Sequence, residues 1–552
     1  MLLKCEKHYK KIVFSLFVLM ILIGVICVRS YGIPWDEWEE IKILASDAKE
    51  YAKLIGGENN SFVQEMNEKG IVDIASNENR DHGAAAYYPV FPFLLANGEN
   101  ARGVMFTWHF YTYCLFMLGI ISIYFIVKRL LGNWKYGILA GALIYLSPRF
   151  FAEGFYNNKD IVLFTLSLFV IWFGILMLET KQFRYAAFFG IAGAFAGHTR
   201  ILGFLIFGLF GLGYIIKLTI EKTWNKKNFY VGVTALCSMV LCFYIITPAM
   251  WYNPLDFFSY YIGTSINFYR WNGTILYQGN IFHRDINPLP WHYLPVIFAI
   301  TTPILIVVLT IFGNIATMIQ SIRERGKQYW LGKGLYNGIF FLYIWIPLGY
   351  AMICRPTIYN GWRHFYFLYG PMVILAVTVL RWFIEHKNKW IKFLSGCLVG
   401  IQLLSMIIVL FCNHPYQYAY YNVLAGGQAE ERYEYDYWNV SVANCLIHMV
   451  EAEPEVSKFR ISAWDWASYD GLCKGYEVVP DDVKAKIEII NYNHDPNQAD
   501  YFITNQVYRR INEVALEQGI ELEPIYDFES YCEKVTAAEC SGVDIMTVYR
   551  KR

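Results

Sequence analysis

The chain predicts an all-α polytopic membrane protein of about eleven spans, followed by a small α/β domain. Three observations carry that expectation. Hydrophobic residues fill 56% of the 552 positions. Charged residues fill only 17%, against roughly 25% in soluble proteins. Apolar runs long enough to cross about 30 Å of hydrocarbon recur from near the N-terminus to residue 411. The same composition excludes disorder, which needs low hydrophobicity. A formal net charge of +1 gives no reason to expect nucleic acid as a partner.

The runs fall at about 12–28, 104–127, 136–149, 161–178, 186–199, 201–216, 229–247, 294–319, 336–353, 365–380 and 391–411, the third, fifth and tenth being short. The first follows Lys4, Lys7, Lys10 and Lys11 like a signal peptide, but ends in Cys27-Val28-Arg29-Ser30 with no small-x-small cleavage site. An uncleaved signal anchor is expected. With a cytoplasmic N-terminus, the inner ends and loops carry 21 Lys and Arg, from Lys128 and Lys181 to Arg323, Arg325 and Lys392. The opposite short loops carry Arg149, Lys159, Arg200, Arg355 and Arg363. The positive-inside rule then makes the protein an integral plasma-membrane protein with 29–103, 249–293 and 413–552 outside. A membrane part over 1–412 and an extracytoplasmic α/β domain over 413–552 follow.

Almost no ionisable residue lies inside the runs; His109, His198 and the terminal Lys392 are nearly all of them. Ion-coupled transporters and channels place charge near the midplane. The working site is therefore expected where spans emerge on the outer face.

Directly after the first run stands Gly32-Ile33-Pro34-Trp35-Asp36-Glu37-Trp38-Glu39-Glu40. Trp35 and Trp38 suit the headgroup layer. An acidic pair beside anionic lipid suits a general base acting on an acceptor hydroxyl; equally, Asp36 and Glu37 could complement a helix dipole. Before the fourth run, the loop Ser147–Asp160 gathers Arg149, Glu153, Lys159 and Asp160, types that hold a phosphate or orient a base. Lys159 and Asp160 could also be a charged helix cap. His198-Thr199-Arg200, Tyr359-Asn360-Gly361-Trp362-Arg363-His364, the stretch His414–Asn422 and Asp436-Tyr437-Trp438-Asn439 complete the outer set. Singly, Arg200 or Arg363 reads as a snorkelling anchor. Together, among aromatics, they fit a lipid phosphate and a sugar.

The order of these motifs resembles the GT-C fold: Asp-Glu after the first span, Asn-x-Lys-Asp before the fourth, Thr-Arg after the fifth and Gly-x-Arg-His before a late one. It is most similar to the protein mannosyltransferase and aminoarabinose transferase group, glycosyltransferase family 39-like. His-Pro-Tyr-x-Tyr-x-Tyr-x-Asn with Gly426-Gly427 and Asp436-Tyr437-Trp438 resembles a bacterial branch with an outer C-terminal domain. The chain departs from the group's frequent His-Pro-Pro-Leu, having Tyr87-Tyr88-Pro89-Val90-Phe91-Pro92.

The resemblance implies transfer of a sugar from a polyprenyl-phosphate donor to a glycan, lipid or protein acceptor on the outer leaflet, among membrane lipids. It implies Asp36 as base with Glu37 beside it, and Asp160 as the second acidic position. Arg149 and Lys159 fall where the donor phosphate is expected, and Arg200, Arg363 and His364 line the same cavity. A phosphate-linked sugar already has a good leaving group, so one base and preorganised cations suffice, and a single displacement inverts the anomeric centre. A divalent metal on Asp36 or Asp160 with a histidine is compatible with these types, but no dense ligand spacing supports it. The alternative from another class, a polyprenyl-lipid flippase or exporter, should carry polar residues through the bundle rather than at one end.

Beyond about residue 430 polar residues rise and period-two runs appear at Phe459–Ala463, Tyr501–Thr504 and Val543–Tyr549. A helix over Tyr508–Glu517 stops at Gly519. By position this domain covers the site or holds the acceptor. An oxidising exterior would permit a Cys532–Cys540 disulfide. Three Asn-x-Ser/Thr sites, at Asn59, Asn272 and Asn439, occur at about the chance rate.

Overall fold

The computed structural model describes residues 2–266, 270–271, 274–283, 287–324, 326–492, 498–519 and 528–552; Asn272 and Arg325 lie outside them. The chain is a multi-pass membrane protein. The helices that frame the bundle and its site end are α1 (Leu2–Cys27), α2 (Glu37–Gly56), α3 (Ala101–Leu131), α4 (Trp134–Tyr145), α5 (Pro148–Tyr156), α6 (Asp160–Thr180), α7 (Phe183–Thr199), α8 (Gly203–Glu221) and α9 (Lys226–Ile246). There follow α10 (Tyr293–Thr301), α11 (Ile304–Arg323), α12 (Gly334–Cys354), α13 (Tyr369–Ile384) and α14 (Lys389–Cys412).

Among the described residues nine helices are long and apolar enough to cross a membrane, or ten if one bent pair counts as a span. The expected eleven differ at the short runs. The third run, 136–149, does not continue straight: α4 stops at Tyr145 and α5 leaves it at 73°. Pro148 causes the break. A residue before proline is pushed out of the helical region, and Ser147 is extended at φ −64°, ψ 118°. Proline itself then suits the first turn of the new helix. The stretch expected as an outer loop is thus mostly the nine-residue helix α5, buried along its whole length. The fifth run is α7, 17 residues long. The eighth is split at Thr302-Pro303 into α10 and α11 by the same proline rule.

The start of α3, α6 and α13 and the end of α1, α7, α9 and α14 gather at one end of the bundle, the site end. Helix α2 lies there too; the Tyr51 hydroxyl donates to the Ile245 carbonyl of α9 at 2.6 Å, and the Tyr88 hydroxyl donates to both Asp47 (2.9 Å) and the Ile246 carbonyl (2.8 Å). Each of these links ties a surface helix or loop to the mouth of the bundle.

A short hairpin, β1 (Thr274–Tyr277) and β2 (Asn280–His283), precedes α10, and the C-terminal part brings α15 (Val442–Ala452), β3 (Phe459–Ala463), α16 (Trp466–Glu477), β4 (Ile487–Ile489), β5 (Tyr501–Asn505), α17 (Gln506–Glu517), β6 (Cys532–Cys540) and β7 (Val543–Lys551). The five sheet strands run in the order β4-β3-β5-β7-β6. β3 pairs in parallel with β4 and β5, while β7 is antiparallel to β5 and β6. The three period-two runs and the 508–517 helix are all present; β4, β6 and α16 are additional. Cys532 and Cys540 are buried at opposite ends of β6. Eight residue steps of about 3.3 Å hold them far beyond the ~7 Å Cα limit for a disulfide. The permitted bridge is therefore excluded. Asn439 is buried and hydrogen-bonded, which closes it to glycosylation.

Candidate active site

Two local features bring charge to the site end. The Gly32–Trp35 segment leaves α1 and enters α2 at Asp36, and the Pro148 break lays α5 across the same end, delivering Lys159 and Asp160 at the start of α6. Asp36 occupies the N-cap position of α2, yet its side chain makes no cap hydrogen bond. Lys159 likewise caps nothing; Asn157 does that work, its Oδ1 accepting from the Asp160 amide at 2.8 Å. Neither side chain therefore makes a cap hydrogen bond, while Asp36 and Glu37 still stand at the helix start, where a carboxylate complements the dipole.

The acidic pair divides. Glu37 turns inward, its Oε2 2.9 Å from His109 Nε2 on α3, and burial pushes its carboxyl up to about 7 against the pull of His109. Asp36 is half-buried, and among the described residues no cation lies within ion-pair distance of it. Burial raises its carboxyl above the usual range; Arg363 and Lys159 pull it down, and Glu40 pushes it up.

Glu40, one turn along α2 from Asp36, takes the Lys159 ammonium at 2.5 Å. His82 Nδ1 stands 2.5 Å from the same ammonium and 3.2 Å from Glu40. Burial alone would raise the Glu40 carboxyl, but Lys159 and His82 overcome it and hold it at about 2. Burial depresses the Lys159 ammonium, with Arg200 acting the same way and Glu40 opposing. His82 reaches this position because Gly83 has no side chain: a Cβ there would meet the His198 carbonyl oxygen at 1.9 Å.

Asp160 is the anionic centre of the second group. Arg200 Nη2 lies 2.9 Å from its Oδ1 and Arg363 Nη1 4.0 Å from its Oδ2. Asn157 Nδ2 bridges Asp160 (3.3 Å) and Glu153 (2.8 Å), and the Tyr366 hydroxyl donates to Glu153 at 2.5 Å. The Arg363 guanidinium is walled by rings, 4.6 Å from Tyr359 and 4.2 Å from Trp438. Tyr359 also meets the His364 ring at 4.6 Å. Arg149 approaches this group on its Glu153 side, with its Nε donating to the Tyr420 carbonyl at 3.1 Å and its guanidinium over Tyr421.

Enclosed nitrogens without a partner among the described residues include Arg200 Nε, Arg363 Nε, Arg149 Nη2 and His364 Nε2. Buried donors are normally satisfied, so this end of the bundle holds spare donor capacity for an anion. Among the described residues no group of three or more His, Cys, Asp or Glu is arranged to hold a metal ion.

Of the residues expected from the sequence, Asp36, Lys159, Asp160, Arg200, Arg363 and His364 come together. Glu37 turns to His109, and Arg149 meets the group through Glu153 while donating to the Tyr420 carbonyl. Two participants were not in the expected set. Glu40 had a signal, its i, i+4 spacing from Asp36 on one helix face. His82 lies in an irregular loop 77 positions from Lys159, where no periodicity points to it.

Residues 86–252 match the family model described as dolichyl-phosphate-mannose-protein mannosyltransferase. That segment includes Arg149, Lys159, Asp160 and Arg200, so the resemblance read from the motifs is borne out over it. No curated protein matches the chain in sequence. Among solved structures, ArnT from Cupriavidus metallidurans bound to undecaprenyl phosphate aligns with 12% identity over 97% of each chain, at a TM-score of 0.45. The apo oligosaccharyltransferase of Archaeoglobus fulgidus aligns with 9% identity over 79% of this chain, at a TM-score of 0.42. The alignment spans 63% of that protein's length. The mycobacterial arabinofuranosyltransferase AftD aligns with 10% identity over 93% of this chain and 41% of its own, at 0.38.

Proposed function

We propose that this chain is a membrane glycosyltransferase that moves a sugar from a polyprenyl-phosphate donor to an acceptor hydroxyl, with Asp36 as the base. One observation carries the reading: the Asp36 carboxylate, without an ion pair among the described residues, lies within electrostatic reach of Arg363, whose enclosed Nε–H has no partner there. The family match over 86–252 supports the same class of reaction. A polyprenyl-phosphate exporter, the alternative, would call for polar groups along the bundle, whereas Asp160, Arg200 and Arg363 all lie at helix ends.

In the proposed reaction the acceptor O–H gives its proton to Asp36. The oxygen attacks the anomeric carbon opposite the phosphate, and the carbon–oxygen bond to phosphate breaks with its electron pair going to the phosphate oxygen. Inversion follows from the single displacement. Lys159, Arg200 and Arg363 stabilise the released phosphate, and fixed cations in a dry site are the larger electrostatic contribution. Burial makes Asp36 a stronger base than a solvated aspartate, and Glu40 keeps Lys159 from suppressing that gain.

The site end faces the extracytoplasmic side in this reading, because Lys128, Arg129, Lys181, Lys222 and Arg381 gather at the opposite end. The acceptor is a glycan, lipid or protein able to reach that surface.

Asp36→Asn tests the assignment. Transfer from a polyprenyl-phosphate donor in membranes should fall about 10²–10⁴-fold, with expression and donor binding retained. Unchanged transfer would remove Asp36 from the base role.

A further inference from the structure

The strand order places β3 between β4 and β5, both parallel to it, so the chain leaves β3 toward one neighbour and returns on the other side. In open α/β sheets that reversal opens a crevice at the carboxyl ends of the central strands, where a ligand usually binds. The two ends here are marked by Asp465, whose Oδ1 accepts from the Ser468 amide at 2.8 Å, and Asn505, whose Oδ1 accepts from the Val507 amide at 2.9 Å. The Asn505 amide in turn donates to Ser468 Oγ at 3.0 Å.

What occupies the crevice is this chain's own segment 436–439. Asn505 Nδ2 donates to the Asp436 carbonyl at 2.6 Å and to Asn439 Oδ1 at 2.7 Å. Asn439 Nδ2 donates to the Ala467 carbonyl at 2.8 Å. The Tyr508 hydroxyl donates to the Tyr437 carbonyl at 2.7 Å, and the Trp35 amide to the Trp438 carbonyl at 3.4 Å. Three consecutive carbonyls are thus held, two by the C-terminal domain and the third by the residue before Asp36. The Asp436 carboxylate closes the turn from within, accepting the amides of Val440 and Ser441 at 3.0 Å each and the Ser441 hydroxyl at 2.5 Å.

The segment's other face belongs to the site. Trp438 lies 4.2 Å from the Arg363 guanidinium, and Tyr437 5.8 Å. Gly32, at the entry to the Asp36 turn, lies directly on it: a Cβ there would meet the Val440 carbonyl oxygen at 2.2 Å.

We infer that the crevice grips residues 436–439 as an internal ligand, and that Asn505 and Tyr508 are positioning residues for the site. Through this grip Trp438 stays on Arg363 and the Trp35–Asp36 turn stays in place. The effect on turnover rests on the glycosyl-transfer reading; the grip itself does not.

Hydrogen exchange on the full-length protein, with donor kinetics on the same samples, tests both parts. Tyr508→Phe removes one hydroxyl at little risk to folding, and Asn505→Ala removes both side-chain donors. Each should raise exchange of the Val440 and Ser441 amides, and of residues 359–366, about tenfold. Each should raise KM for the polyprenyl-phosphate donor several-fold more than it lowers kcat. Trp438→Ala should show the same KM-weighted loss, and Trp438→Phe, which restores a ring on the guanidinium, should recover most of it. Unchanged exchange in both sheet variants overturns the grip whatever the activity. Raised exchange with unchanged KM overturns the positioning role. If the wild type turns over no such donor, glycosyl transfer fails while the exchange result still decides the grip.

Discussion

The Lys159 ammonium sits 2.5 Å from Glu40, not on Asp36. Two carboxylates one turn apart at the start of α2 therefore differ: Glu40 takes a cation, and Asp36 has no ion pair among the described residues.

Glu40→Gln tests that difference. Glu40 raises the Asp36 carboxyl, and removing it also exposes Asp36 more fully to the Lys159 charge; both changes lower it. The acid limb of kcat/KM should move to lower pH. A pH–rate profile that moves to higher pH would contradict Asp36 as the titrating base.

Asp160 is almost fully enclosed between Arg200 and Arg363. Asp160→Ala should cost about 3 kcal/mol, because removing one partner leaves buried guanidinium charge unpaired. Thermal melts in detergent should show this as a clear fall, with Asp160→Ala/Arg200→Met recovering part of it. A wild-type melting temperature for Asp160→Ala would show that the pair does not hold the site together.

Glu434 is buried, accepting from Asn360 Nδ2 at 2.8 Å and the Leu276 amide at 3.2 Å. Burial raises its carboxyl from the ordinary 4.5 to about 7, with these hydrogen bonds opposing. Between those values the unfolded chain loses the proton and the native one keeps it. Stability therefore falls as pH rises from about 4.5 to 7 and levels above. From this group alone the loss is on the order of 3 kcal/mol. Glu434→Gln keeps an acceptor but cannot titrate, so its stability should decline less than that of the wild type between pH 4.5 and 8. Parallel declines in chemical or thermal denaturation would rule the group out.

The spans and most of the site's charges were legible because both depend on local pattern. A run of apolar residues needs no partner to be read as a span, and a carboxylate or guanidinium beside such a run is conspicuous against a bundle with few charges. Asp36, Lys159, Asp160, Arg200 and Arg363 were found that way. The three strands of the C-terminal sheet with clear alternation were found by the same logic. β4 is three residues long and β6 carries register shifts, so neither shows a clean period of two.

The remainder depended on how distant segments meet. Whether Asp36 capped a helix or stood free, whether Glu37 shared its role or turned to His109, and which anion took Lys159 are questions of direction, which sequence spacing does not encode. Pro148 was visible in the chain, but the 73° bend that lays α5 across the site end depends on what that helix packs against. His82, Asn505 and Tyr508 act through contacts made across 77, 69 and 71 positions. Local composition placed the chain in the membrane and its charges at one end. Long-range packing chose among those charges, because burial and pairing, not residue type, set which carboxylate takes a cation.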